Sequence, residues 1–231
     1  MIGIICAMAI EVDGLKELMT DKTEEIHSKM TFTKGKIGGR ELVAVECGVG
    51  KVNAAMCAQT MIDFYSPEVI INSGVAGATS EEVTLCDMVV GTEVVQHDMN
   101  TAALGSPIGE ITFPDENRIY FPCDEKVAEK LYNICKTVED SSAFMGRIAS
   151  GDIFVSRRSK REILYIRFQA LACEMEGAAI GHVCFRNDVP FCVFRTISDD
   201  LENNKGMDFK IFSVAASEKS IKVISEFIKN Y

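Results

Sequence analysis

The sequence predicts an α/β domain of three layers, on two observations. Short apolar runs rich in Val and Ile, with no polar alternation, read as strands covered on both faces. Longer stretches of helical spacing separate those runs, the order expected of helices packed on a sheet. The 231 residues fit one large domain, taken as 1–231, and 47% hydrophobic residues leave ample material for its core.

Ile2–Met8 reads as a buried strand and Val12–Met19 as a helix. Glu41–Glu46 is a second strand, entering the glycine turn Cys47-Gly48-Val49-Gly50. From Lys51 to Tyr65 helical spacing sets Val52, Ala55, Met56, Gln59 and Ile62 on one face, and Pro67 ends the pattern. Glu68–Asn72 is a third strand, running into Ser73-Gly74-Val75-Ala76-Gly77, which reads as another turn; Val83–Thr92 is a fourth. From His97 to Pro122 the pattern fades over about 26 residues with three prolines and two glycines, a length typical of functional or partner-covering loops. Asp124 is the expected N-cap of a helix with Val127, Leu131, Ile134 and Val138 inward. Arg147–Ser150 reads as a strand, Glu176–Arg186 as a helix, Pro190–Ile197 as a strand and Asp208–Asn230 as a closing helix. Ligands of such folds gather at strand exits, here Met8–Glu11, Gly48–Gly50, Ser73–Gly77 and Ser198–Asp200.

Composition excludes several classes of function. Lys and Arg number 24 against 34 Asp and Glu, a net charge of −10, which disfavours nucleic acid and anionic membranes as partners. Nine cysteines form no C-x-x-C pair and lie mostly in apolar runs, so they read as buried free thiols of a reduced, cytoplasmic protein. His27, His97 and His182 are too scattered to complete a zinc site, and neither a metal nor an organic cofactor is expected. The apolar start, Met1–Ile10, lacks a basic flank and is too short to span a bilayer.

Gly48-x-Gly50-Lys51 is neither a Walker loop nor a G-x-G-x-x-G, and reads as a tight strand-to-helix turn. Carboxylates carry more information. Glu11 follows the first strand, Glu174 and Glu176 flank Met175 before a small-residue helix, and Asp199 follows Arg195-Thr196-Ile197-Ser198. Burial at such places suits acids to proton transfer, although each alone reads equally well as a helix-dipole acid.

Taken together, six blocks resemble the 5′-methylthioadenosine/S-adenosylhomocysteine nucleosidases of the purine and uridine phosphorylase superfamily, nearly end to end. They are Gly3–Met8 with Glu11-Val12, Gly48–Ala55, Ile70–Gly77, Ser150–Val155, Glu174–Ile180 and Arg195–Asp199. The resemblance implies a nucleoside phosphorylase-like fold, with a central mixed, partly barrel-like sheet flanked by helices. It implies hydrolysis of an N-glycosidic bond to release adenine, with Asp199 as acid at adenine N7, Ser198 orienting it, and Glu11 activating the water. Glu176 would hold the ribose hydroxyls, Phe154 would stack on adenine, and the Val155 backbone would meet the base edge. Met8, Val49, Met175 and Phe209 would wall the ribose and 5′-thioalkyl group, Ala76 and Gly77 would border the substrate, and Arg195 would orient carboxylates near Glu176. It further implies a homodimer whose 97–122 segment lies near the neighbour's pocket.

The chain departs from the family at Val75, where many members have serine, and over Thr101–Pro114, with Ser106 and Pro107 where an aromatic is often found. These departures bear on the preferred 5′-group. A nucleoside phosphorylase, a nucleosidase for aminodeoxyfutalosine or 5′-deoxyadenosine, and a non-catalytic nucleoside binder stay open. An acid at Glu11, where a phosphate-binding arginine would be wanted, favours hydrolysis over phosphorolysis.

Overall fold

A computed structural model describes residues 1–201 and 209–231, the side chains of 209–211 excepted. In chain order the elements are β1 (Ile2–Cys6), α1 (Ala9–Glu17), β2 (Thr20–His27), β3 (Met30–Ile37), β4 (Arg40–Glu46), α2 (Lys51–Tyr65), β5 (Val69–Ala78) and β6 (Met88–Gln96). Then follow three short strands, β7 (Ile111–Thr112), β8 (Asn117–Arg118) and β9 (Tyr120–Pro122), and α3 (Glu125–Cys135). The chain closes with β10 (Ala143–Ser150), α4 (Arg158–Phe168), β11 (Ala170–Glu174), α5 (Gly177–Arg186), β12 (Phe191–Asp199) and α6 (Phe209–Asn230).

Ten strands form one mixed sheet in the order β11-β10-β6-β12-β5-β1-β4-β3-β2, with β9 beside β6. Because β11 also pairs with β5, the strands β5, β12, β6, β10 and β11 close into a small barrel. Register shifts at Gly146/Ile148 in β10 and at Ile197/Asp199 in β12 supply the bends that closure demands. The remaining strands extend as a wing that ends at β2, whose residues are nearly all exposed. Every residue of β1, β5 and β12 is buried, as expected of strands covered on both faces. Helices α1 and α3 pack on α6, and α2 packs on α5.

Several sequence expectations need correction. The turn expected at Ser73–Gly77 does not exist: β5 runs straight through to Ala78. The fourth strand lies later than Val83–Thr92, at Met88–Gln96. On α2 the buried residues are Ala54, Cys57, Ala58, Thr60 and Met61, whereas Val52 is 78% and Met56 41% exposed. The helix lies about one residue further round than its apolar pattern implies, because small side chains let it approach α5. On α3 the Asp124 carboxylate does cap Val127 N at 3.0 Å, but Ala128 and Cys135 complete the buried stripe and Val138 lies past the helix end. Asp208, expected to open the last helix, lies outside the described residues. All nine thiols are unpaired, and all but Cys86 are buried.

Candidate active site

A cavity of about 330 Å³ opens where β1, β5, β11 and β12 converge with the loop after β10. Of the thirteen residues singled out from sequence, eleven line it: Met8, Glu11, Val49, Ala76, Gly77, Phe154, Val155, Met175, Glu176, Ser198 and Asp199. Two do not. Arg195 is buried behind the wall, and the side chain of Phe209 lies outside the described residues.

Glu11 occupies the first turn of α1 and is buried. Its Oε2 accepts from Ala7 N and Met8 N at 3.0 Å each, and its Oε1 accepts from Val75 N at 2.9 Å. Glycine at position 74 makes this approach to β5 feasible, since a Cβ there would stand 2.5 Å from Glu11 Oε1. Burial pushes the Glu11 carboxyl above its ordinary range, while Arg195 and the three N–H donors restrain the rise.

Asp199 ends β12 and is in register with Gly77, which lies two residues beyond Val75 along β5. Two strand residues correspond to about 7 Å. Ser198 Oγ donates to its Oδ1 at 2.9 Å, and Arg161 Nη2 pairs with its Oδ2. Between the two acids the lining is mostly apolar, with Met8, Val75, Ala76 and Met175. Phe154 forms part of the mouth and is 57% exposed.

The second acid pair, Glu174 and Glu176, is divided by its environment. Burial alone would push Glu174 up, but Arg195, the Ser150 hydroxyl and Gly177 N–H together hold it below the ordinary carboxylate value. Glu176 instead is raised to about 7 by burial and by repulsion from Glu174, offset in part by Arg195 and by Gly50 N–H, which donates to its Oε1 at 2.8 Å. Arg195 pairs directly with Glu174 and Asn72, and it lies close enough to Glu176 and Glu11 to act on both electrostatically. Its side chain is walled off from the cavity because β12 turns it toward the sheet interior.

A family model described as the phosphorylase superfamily matches residues 1–229. A 5′-methylthioadenosine/S-adenosylhomocysteine nucleosidase from Staphylococcus haemolyticus is 34% identical over 230 residues, 99% of each chain. The chain belongs to the 5′-methylthioadenosine/S-adenosylhomocysteine nucleosidase family of that superfamily. A nucleosidase of this family from Neisseria meningitidis, solved in complex with methylthio-immucillin-A, superposes with a TM-score of 0.91 at 29% identity, covering 100% of this chain and 99% of that one. A futalosine hydrolase of Helicobacter pylori superposes with 0.90 at 31% identity, covering 100% and 97%. The nucleoside phosphorylase-like architecture expected from the resemblance is therefore present.

The family blocks include neither Arg161 nor Cys173, which also line the cavity, whereas Ile153, another lining residue, falls within the Ser150–Val155 block. Arg161 and Cys173 come from α4 and β11, two elements absent from the sequence reading. Only the spacing of Arg161, Leu164 and Phe168, the buried stripe of α4, could have signalled that an arginine there faces inward.

Proposed function

We propose that the protein hydrolyses the N-glycosidic bond of 5′-methylthioadenosine and S-adenosylhomocysteine, releasing adenine. The observation that carries this reading is the convergence of Glu11 and Asp199 on one cavity with a largely apolar lining, Glu11 bound to Val75 N of β5 and Asp199 ending β12 in register with Gly77. Two acids facing one cavity suit a ribose flanked by a water on one side and a base on the other, the layout of an inverting hydrolysis. Asp199, oriented by Ser198, donates a proton to adenine N7 as the C1′–N9 electron pair moves into the base. Glu11 takes a proton from the water whose oxygen bonds C1′. Glu176 accepts from the ribose hydroxyls and fixes the ring, while Phe154 and the Val155 backbone hold adenine.

Phosphorolysis is disfavoured by the cations. Arg161 is engaged by Asp199, Arg195 by Glu174 and Lys51 by Asp98, so each has a carboxylate in place of phosphate. The likeness to a futalosine hydrolase favours one further reading, a purine nucleoside with a larger 5′-group. Exposed Val49 at the cavity, with exposed Val52 and Met56 on the helix that follows it, supports a homodimer in which the neighbour's 97–122 segment covers the 5′-end. The unpaired thiols support a cytoplasmic location.

Adenine release from 5′-methylthioadenosine should proceed at full rate without phosphate, and strict phosphate dependence would refute hydrolysis. Asp199→Asn should cut kcat by about 10²–10⁴-fold. Comparing kcat/KM for 5′-methylthioadenosine, S-adenosylhomocysteine, 5′-deoxyadenosine and aminodeoxyfutalosine then ranks the 5′-groups.

A further inference from the structure

Arg161 is the largest buried side chain that the chemistry above leaves unused. It is 1% exposed, yet it reaches the cavity from α4. Its Nε donates to Val155 O at 2.7 Å, its Nη1 donates to Asp199 O at 3.2 Å and Asp200 O at 3.3 Å, and its Nη2 pairs with Asp199 Oδ2. The guanidinium thus ties the backbone assigned to the adenine edge directly to the carboxylate assigned to N7. Space for it exists because residue 77 is glycine: a Cβ there would stand 2.9 Å from Arg161 Cζ.

We propose that Arg161 is a positioning residue for the leaving-group acid, fixing the Asp199 carboxyl against the base and receiving the charge that forms on it. This rests on the reading of Asp199 as that acid. When the proton passes to N7 and the C1′–N9 pair enters the ring, Asp199 is left as a carboxylate in a largely apolar cavity. A guanidinium already in contact stabilises that charge without reorganisation, and its planar fork fixes which oxygen faces the base. With Oδ2 held by Arg161 and Oδ1 by Ser198, the carboxyl plane has little rotational freedom. Lysine would supply charge but not the fork that also grips three backbone carbonyls.

A pair of leaving groups separates this role from mere scaffolding. Adenine needs protonation to depart, whereas the 4-nitrophenolate of 4-nitrophenyl 5-methylthioribofuranoside does not. Arg161→Met should lose about 10²-fold in kcat on 5′-methylthioadenosine with KM nearly unchanged, while nitrophenolate release stays within about threefold. Arg161→Lys should recover at least part of the loss. Parallel loss on both substrates in Arg161→Met and Arg161→Gln makes the residue structural and overturns the proposal, as does full adenine release by Arg161→Met. Asp199→Asn assayed beside them distinguishes the two failures. If it keeps full adenine release, the acid assignment itself falls; if it collapses while Arg161→Met does not, only the role of Arg161 falls.

Discussion

Around Glu11 the backbone does the holding. Three N–H groups from two elements converge on one carboxylate, so its position depends on how closely α1 can lie against β5. Gly74 sets that distance, since even one methyl group would meet Oε1. Gly74→Ala should therefore leave a folded protein whose kcat/KM falls by about 10–100-fold, the cost of displacing a reacting group by a fraction of an ångström to an ångström. Steady-state kinetics with a thermal melt checks this; unaltered kinetics would mean that the tether to Val75 is dispensable. The importance of position 74 was not legible in the sequence, where Ser73–Gly77 looks like a turn and glycine is ordinary. It is a strand, and the missing side chain is occupied by a neighbour's carboxylate.

Among the elements, α2 has the expected ends but not the expected orientation. Its apolar stripe Val52, Ala55, Met56 and Ile62 competes with a stripe of small residues, Ala54, Cys57 and Ala58, and the smaller one packs on α5. Periodicity locates a helix but does not decide between two such faces. Large apolar side chains left outward beside a cavity mouth are costly unless covered. If the homodimer proposed above forms through α2, Val52→Asp combined with Met56→Asp should yield monomers, read by sedimentation, and should weaken binding of substrates with long 5′-groups. Sedimentation as a dimer by the double variant would remove α2 from the interface. Among the elements missed altogether, which include β3 and β11, two are polar: β2 (Thr20–His27) is nearly all exposed, and α4 (Arg158–Phe168) buries an arginine where an apolar residue would have marked the face. By contrast the acids and the glycine turn at Gly48–Gly50 were legible, because strand ends carrying Glu11, Glu176 and Asp199 recur in family order.

Across the whole molecule, stability is linked to the charge state of the cavity. Glu176 is raised to about 7 in the folded chain from an ordinary 4.5, so folding favours its neutral form. The stability this contributes is complete below about pH 4.5 and is lost as pH rises through 7. Glu174 has the opposite sign: held low in the fold, it contributes above its ordinary range and loses that contribution in acid. Glu176→Gln retains an acceptor for Gly50 N–H but cannot ionise. The variant should unfold with a free energy on the order of 1–3 kcal/mol higher than the unaltered protein at pH 8, the two converging toward pH 4.5, while kcat/KM falls. Denaturant titrations at both pH values check the sign, and equal stability at pH 8 would show that the acid ionises there without strain.

Barrel closure has a consequence at the opposite end of the sheet. By pairing β11 back onto β5, the fold hides the edges of the strands that enclose the cavity, and the wing is left to end at β2. That strand carries Asp21, Lys22, Glu24 and Glu25 along a row of unpaired peptide groups. Two such edges repel and must strip water from charges before they can join. Crowded solutions of this protein are thus protected from strand-to-strand fibre growth by side chains that contribute nothing to its core.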